Sequence, residues 1–270
     1  MSRILGATTV PHQDLPCAAV ATGATNRPMT DERLTDAPLI EEQRQFRITR
    51  DTLRDGSLIE AARRRVPPGM RVRDDAEIEA CLHSMLDDHP ANQDVWLFGY
   101  GSLMWNPAMH FAEQRGGRVL GWHRKYCLWL EAGRGSPEKP GLMLGLDRGG
   151  TAAGALFRVP ADQARTELLL PFRRELFTYS YEARWVSVAT REGPVRAVTF
   201  VVNRDGPRYV CRLDLEQVAH HVATASGVLG SCMEYLHRTL ESLDALGLND
   251  RMMREVNRLC AARAGEPRTC

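Results

Sequence analysis

The sequence predicts an α+β fold, and three observations carry that expectation. From Val95 onward, short apolar runs are separated by glycine turns, which is the grammar of β-strands. From Leu213 to the end, apolar residues recur at helical spacing. The helices gather mainly at the C-terminal end instead of alternating with the strands, so a parallel α/β sheet is not expected.

Each element can be justified in order. Residues 1–45 are rich in Ala, Thr, Pro, Asp and Arg, lack a hydrophobic period, and read as a flexible tail, with Met29 a candidate start. Residues 46–93 read as a helical lead-in of two short helices, marked by Leu53 and Ile59 and then by Ile78, Leu82 and Met85. The main domain is expected over 94–265. Within it, "VWLF", "RVLGWHRKYCLWL", "GLMLGL" and "GALFRV" are the first strands. A helix begins near Ala161 with Ala164, Leu168 and Phe172 on one face, and Pro171 should kink or restart it. "RWVSVAT" and "RAVTFVVN" are two more strands joined across "REGP". Three helices close the chain: "LDLEQVAHHVATA", "CMEYLHRTLESLDALG" ending at Gly247, and "NDRMMREVNRLCAARAG" with Asn249 as N-cap.

Composition narrows the function. The chain has 270 residues, with 35 basic and 34 acidic, so nothing favours binding to a phosphate backbone. Arg63, Arg64 and Arg65 read as a solvated helix face. No apolar stretch approaches membrane-spanning length and no signal peptide is visible, so a cytoplasmic location is expected. The seven cysteines (Cys17, Cys81, Cys127, Cys211, Cys232, Cys260, Cys270) are scattered, without any C-x-x-C pair. Reduced thiols are expected, with neither disulfides nor zinc.

The stretch "VWLFGYGSLMWNP" interrupts a strand with Gly99 and Gly101 around Tyr100. A dinucleotide motif would need a third glycine where Met104 stands, and a nucleophile elbow around Ser102 would need glycines at Tyr100 and Met104. Both readings fail. The turn either aims backbone N–H groups at a ligand, which glycine permits by close approach and unusual angles, or simply closes a barrel. The eight histidines give no metal spacing, and His220 and His221 face different ways. Among the carboxylates, Glu175 stands out, because it follows Arg173 and Arg174 and precedes Leu176 and Phe177. Burial would raise its pKa and a cation lower it, so it is either a poised base or part of a solvated Arg-Arg-Glu patch.

Together, "WLFGYGSLMWNP", "LGWHRKYCLWLEAGRGSPEKPG" and "FRRELFTYSYEARWV" resemble the ChaC family of γ-glutamylcyclotransferases, from about Ile48 to about Leu248. The resemblance implies a γ-glutamylcyclotransferase-like mixed β-barrel with flanking helices over 94–265. It also implies a cofactor-free cleavage of glutathione, a small-molecule substrate, to 5-oxoproline and cysteinylglycine. The family's substrate loop falls on Phe98, Gly99, Tyr100, Gly101, Ser102 and Leu103, and its catalytic glutamate on Glu175. Tyr209 matches a tyrosine before a C-terminal helix and lines the pocket or packs as an ordinary aromatic; Tyr235 also matches. Three positions depart from the pattern: Leu142 where arginine is frequent, Tyr179 where a small residue is favoured, and Cys232 where asparagine is common. These bear on substrate preference more than on reaction type. Two rival readings are therefore the same chemistry on another γ-glutamyl amino acid or amine, and a non-catalytic binder of γ-glutamyl ligands.

Overall fold

The computed structural model describes residues 47–66 and 70–265, and the tail expected over 1–45 lies outside them. The lead-in holds three helices where the pattern predicts two: α1 (Arg50–Arg54), α2 (Ser57–Arg63) and α3 (Asp75–Asp87). The break between α1 and α2 is Gly56, in the left-handed region at φ 77°. Thr49 and Asp74 close capping boxes at the starts of α1 and α3. Leu53, Ile78 and Leu82 face the core.

Five strands form a closed barrel: β1 (Val95–Gly99), β2 (Glu113–Leu130), β3 (Gly141–Val159), β4 (Tyr181–Thr190) and β5 (Gly193–Val202). Their order is β1-β3-β2-β4-β5. Four pairings are antiparallel, and β5 returns parallel to β1 through Trp96 opposite Ala197 and Leu97 opposite Val198. The mixed barrel implied by the family resemblance is therefore present. Closure leaves β1 with hydrogen-bonding partners on both sides, which makes its end a rigid place to hang a loop.

"GLMLGL" and "GALFRV" are one strand, not two. The intervening Gly149 and Gly150, at φ 93° and 71°, lie opposite Gly121 alone between the pairs Trp122–Arg148 and Leu120–Thr151. Two residues facing one make a bulge, so these glycines bend the ribbon without ending it.

Helix α4 (Ala164–Leu176) follows β3 and continues through Pro171 without restarting. Ala164, Leu168, Phe172 and Leu176 are all buried, so packing along one face holds the helix across the missing N–H. The lead-in grips the C-terminal end of α4. Arg73 donates from Nη1 to Leu176 O (2.7 Å) and Thr178 O (3.0 Å), and from its backbone N–H to Phe177 O (2.9 Å). Arg63 is more than a solvated residue, since it donates to Arg73 O (2.9 Å) and lies over Phe177. Arg173 reaches Leu53 O, Arg54 O and Asp75.

Beyond the barrel come α5 (Leu215–Thr224), a tiny hairpin of β6 (Ser226–Gly227) and β7 (Gly230–Ser231), then α6 (Cys232–Ala245) and α7 (Arg251–Gly265). The cap of α7 is Asp250, whose Oδ1 accepts from Met253 N–H (3.1 Å), and not Asn249, which accepts from Arg254. Asp250 takes this place because its other oxygen is paired to Arg124 inside the protein. Among the described residues, no helix is long and apolar enough to cross a membrane.

Candidate active site

The loop after β1 is fixed from several directions. Thr199 Oγ1 donates to Phe98 O (2.8 Å), and the Tyr100 hydroxyl donates to Phe200 O (2.8 Å). The fully buried Arg124 donates from Nε to Tyr100 O (2.8 Å) and from Nη2 to Ala153 O (2.5 Å), while Nη1 pairs with Asp250. A trans peptide points its C=O and the following N–H in opposite directions. Holding Tyr100 O on Arg124 therefore turns the Gly101 N–H away from Arg124. The chain then makes one 3-10 turn over Ser102–Met104, closed by Met104 N–H to Gly101 O (2.9 Å). Among the described residues, the N–H groups of Gly101, Ser102 and Leu103 donate to no protein acceptor. Three consecutive unused donors at a largely buried turn call for an external acceptor.

The glycines serve close approach and not unusual angles. Neither Gly99 nor Gly101 has positive φ. A Cβ on Gly101 would lie 2.4 Å from the Tyr235 hydroxyl, and one on Gly99 would lie 3.0 Å from Leu103 Cβ.

Glu175 occupies the last turn of α4, beside this loop. One guanidinium joins them: Arg174 donates to Ser102 Oγ (2.6 Å) and Asn106 O (2.6 Å), and its Nε lies 3.2 Å from Glu175 Oε1. The Glu175 side chain is 14% exposed, and its carboxylate accepts no hydrogen bond among the described residues. Burial pushes its pKa up, Arg174 opposes this, and burial prevails. Burial likewise pushes Arg174 down. Tyr100, Tyr181 and Tyr235 are near enough to feel the Glu175 charge, and burial, reinforced by it, pushes each of their hydroxyls up, so they remain neutral donors. The hydroxyl of Tyr181 is committed to Leu144 O (2.7 Å), whereas that of Tyr235 has no partner among the described residues. Glu167 on the same helix is a contrast. It is also buried, but it accepts from Arg50 (2.5 Å) and His110 N–H (2.8 Å), which makes it structural.

The remaining candidate, Tyr209, stands in a different network. Its hydroxyl donates to Asp147 Oδ2 (2.8 Å), which also receives Lys125 (3.3 Å), while Oδ1 receives Arg204 and the Arg148 N–H. Burial alone would raise Asp147, but these hydrogen bonds hold it at about 2. The Tyr209 ring packs on Cys127, Leu128 and Val202, a small cluster that Tyr181 also packs against.

The three departures from the family pattern also find places. Leu142 and Cys232 are buried neighbours: Cys232 Sγ lies 3.2 Å from Arg134 O and 3.8 Å from Leu142 O. Tyr179 is on the outside, stacked under Arg73 (4.0 Å) and Arg71 (4.8 Å), with its hydroxyl on Glu77 (2.9 Å). Its bulk therefore faces the lead-in helices. Among the described residues, no group of three His, Cys, Asp or Glu side chains could hold a metal ion. Sequence reasoning missed Arg124 and the linking role of Arg174. An arginine in the apolar run "GWHRKYCLWL" was the available signal.

Comparison with known proteins agrees with this architecture. The family model for ChaC-like protein matches residues 95–263. A glutathione-specific γ-glutamylcyclotransferase of Escherichia coli is 40% identical over 172 residues, covering 63% of this chain and 74% of that protein. The human glutathione-specific γ-glutamylcyclotransferase 1 is 28% identical over 160 residues, covering 57% and 72%. A solved γ-glutamyl cyclotransferase specific to glutathione from yeast shares the fold, with a TM-score of 0.58 at 17% identity, over 63% of this chain and 97% of that one. The matched segment takes in the whole barrel, the loop after β1, Glu175 and nearly all of the C-terminal helices, and on that ground the chain belongs to the ChaC-like protein family.

Proposed function

We propose that this protein is a γ-glutamylcyclotransferase that converts glutathione to 5-oxoproline and cysteinylglycine, with Glu175 as general base. The observation that carries the reading is a set of unsatisfied polar groups in one enclosure. Glu175 and the loop share the Arg174 guanidinium, and between them lie an unbonded carboxylate, three unused N–H groups and a free tyrosine hydroxyl. A carboxyl raised by burial lies closer to neutral pH, where a base works best.

The steps follow from that geometry. The substrate's α-ammonium gives a proton to Glu175, and the freed amine attacks the γ-carbonyl carbon of the same molecule. Negative charge develops on the carbonyl oxygen and is taken up by the loop N–H groups. The C–N bond to cysteine then breaks as the departing nitrogen takes the proton back from Glu175, and the second proton of the attacking nitrogen passes by way of the same carboxylate to the released amine, which leaves as an ammonium. No charge or atom is left over. Because nucleophile and carbonyl belong to one molecule, holding it curled supplies much of the rate; effective molarities for such closures reach about 10⁵ to 10⁸ M. The loop Phe98, Gly99, Tyr100, Gly101, Ser102 and Leu103 is the substrate-binding element in this proposal. The place of Tyr209 in the pocket rests on the family resemblance, while its hydroxyl is held by Asp147. The free thiols of Cys81, Cys127, Cys211, Cys232 and Cys260 support a cytoplasmic setting.

The test is incubation of purified protein with glutathione and assay for 5-oxoproline and cysteinylglycine. The Leu142–Cys232 contact puts two apolar-type groups where the family frequently carries a cation and an amide, so γ-glutamyl amino acids and amines belong in the same assay. Faster turnover of those compounds would transfer the chemistry to them. Binding without 5-oxoproline from any of them would leave a non-catalytic protein.

A further inference from the structure

Three buried arginines, Arg124, Arg134 and Arg174, act electrostatically on Tyr235, whose hydroxyl lies against Gly101. They differ in how many donors the protein uses. Arg124 uses all three nitrogens, on Tyr100 O, Ala153 O and Asp250. Arg174 places two on Ser102 and Asn106 and the third beside Glu175. Arg134 uses only Nη1, which donates to Ser231 O (2.7 Å) and Glu234 (3.2 Å); Glu234 is itself shared with Arg238. Among the described residues, Nε and Nη2 of Arg134 have no acceptor, and neither is sealed from solvent.

The place of Arg134 is as informative as its free edge. It lies in the loop between β2 and β3, with its guanidinium 5.7 Å from the Tyr235 ring centre and 5.9 Å from that of Trp105. Gly101 is at the hydroxyl end of the same Tyr235 ring. A path from the loop N–H groups to Arg134 therefore runs along one tyrosine. Two extended residues span about 7 Å, a length comparable to the 5.7 Å from the Tyr235 ring centre to this guanidinium plus the half-ring back to the hydroxyl, so a dipeptide whose amide sits at Gly101 has the reach to set its terminal carboxylate there. A guanidinium edge with two parallel donors is the shape that takes a carboxylate through two bonds.

We propose that Arg134 is the specificity-determining residue that binds the carboxylate at the far end of the substrate, two residues beyond the γ-glutamyl carbonyl. The inference rests on the function proposed above and narrows it. The favoured substrates are γ-glutamyl dipeptides with a free C-terminal carboxylate, in preference to γ-glutamylamines.

The test compares glutathione with the same molecule carrying a glycine amide in place of the glycine carboxylate. Wild-type protein should favour glutathione by about 10- to 100-fold in kcat/KM, mostly through KM, the usual worth of a hydrogen-bonded charge. Arg134→Gln should remove that preference and bring the two substrates within about threefold, while Arg134→Lys should keep part of it. Product formed from the amide by the variant shows that it is folded. Wild type that treats both alike, or an Arg134→Gln protein that keeps the full preference, overturns the assignment. Calorimetric titration of Glu175→Gln protein with the two ligands reads the same preference without turnover, as a Kd ratio of the same size. Inactive wild type would then count against the proposed reaction, and equal Kd values against Arg134.

Discussion

Replacing Glu175 with glutamine keeps the side-chain shape and removes only the proton acceptor. A general base contributes about 10²- to 10⁴-fold, which at 1.36 kcal/mol per decade is about 3 to 5 kcal/mol of barrier. The structure argues for the upper part of that range, because the other buried carboxylate of α4, Glu167, is committed to Arg50 and the His110 N–H and cannot take over. Stability should respond differently. Burial outweighs the Arg174 attraction, so the folded-state pKa of Glu175 lies above its ordinary value of 4.5. A carboxyl raised in this way costs the fold stability once pH exceeds the unfolded pKa, and the cost vanishes below it. Glu175→Gln should therefore be no less stable than wild type at pH 7, with any advantage closing as pH falls below about 4.5. The same shift predicts that the acid limb of the wild-type kcat/KM profile lies above the pH at which an ordinary glutamate titrates. Circular dichroism melts and a 5-oxoproline assay decide the matter. Activity within a few fold of wild type in a folded variant would remove Glu175 from the mechanism.

Three further outcomes are expected. Gly101→Ala should lose about 1 to 3 kcal/mol by overpacking, because its Cβ would lie 2.4 Å from the Tyr235 hydroxyl oxygen; adding Tyr235→Phe leaves the ring carbon at 3.6 Å as nearest neighbour and should restore most of the denaturant midpoint. No recovery in the double variant would mean that the collision is not the cause. Tyr209→Phe should lose about 1.5 to 3 kcal/mol in urea unfolding, the worth of a hydrogen bond to the charged Asp147; a fall in kcat/KM beyond tenfold in folded protein would put the hydroxyl in the pocket. Turnover in ¹⁸O water should yield unlabelled 5-oxoproline when products are read promptly, whereas glutamate labelled in its γ-carboxylate as first product would make the protein a hydrolase.

Much of the fold was legible because hydrophobic period and secondary structure coincide in it. The face Ala164, Leu168 and Phe172 is buried as its spacing predicts. Failures came where local chemistry mimicked something else. Gly149 and Gly150 read as a turn and form a bulge, since a pair of glycines signals φ freedom without saying whether pairing continues across it. Asn249 and Asp250 are both good caps, and the choice between them is made by Arg124, 126 positions before Asp250, which no local pattern reveals. The same limit applies to the site. Glu175 could be singled out from its mixed apolar and cationic neighbours, but Arg124 and Arg134 gain their roles only from residues distant in the chain.

The comparison of Glu167 with Glu175 shows how such a site separates itself from the rest of a buried interior. Both carboxylates lie on α4 and both are largely withdrawn from water. Removing a charge from water is unfavourable unless donors replace the lost hydration. At Glu167 the protein supplies them, from Arg50 and His110. At Glu175 it supplies only a nearby cation whose donors are largely engaged elsewhere. The loop opposite has the complementary deficit, with three donors and no acceptor. Two unmet demands of opposite kind, held by one guanidinium on elements as rigid as a barrel strand and a packed helix, have a common solution in a ligand that brings an ammonium to the carboxylate and an oxygen to the N–H groups. A γ-glutamyl head carries both, so in the proposed function the site's own incompleteness is met by the substrate's reacting end, and in the proposed assignment of Arg134 its open edge is met by the other.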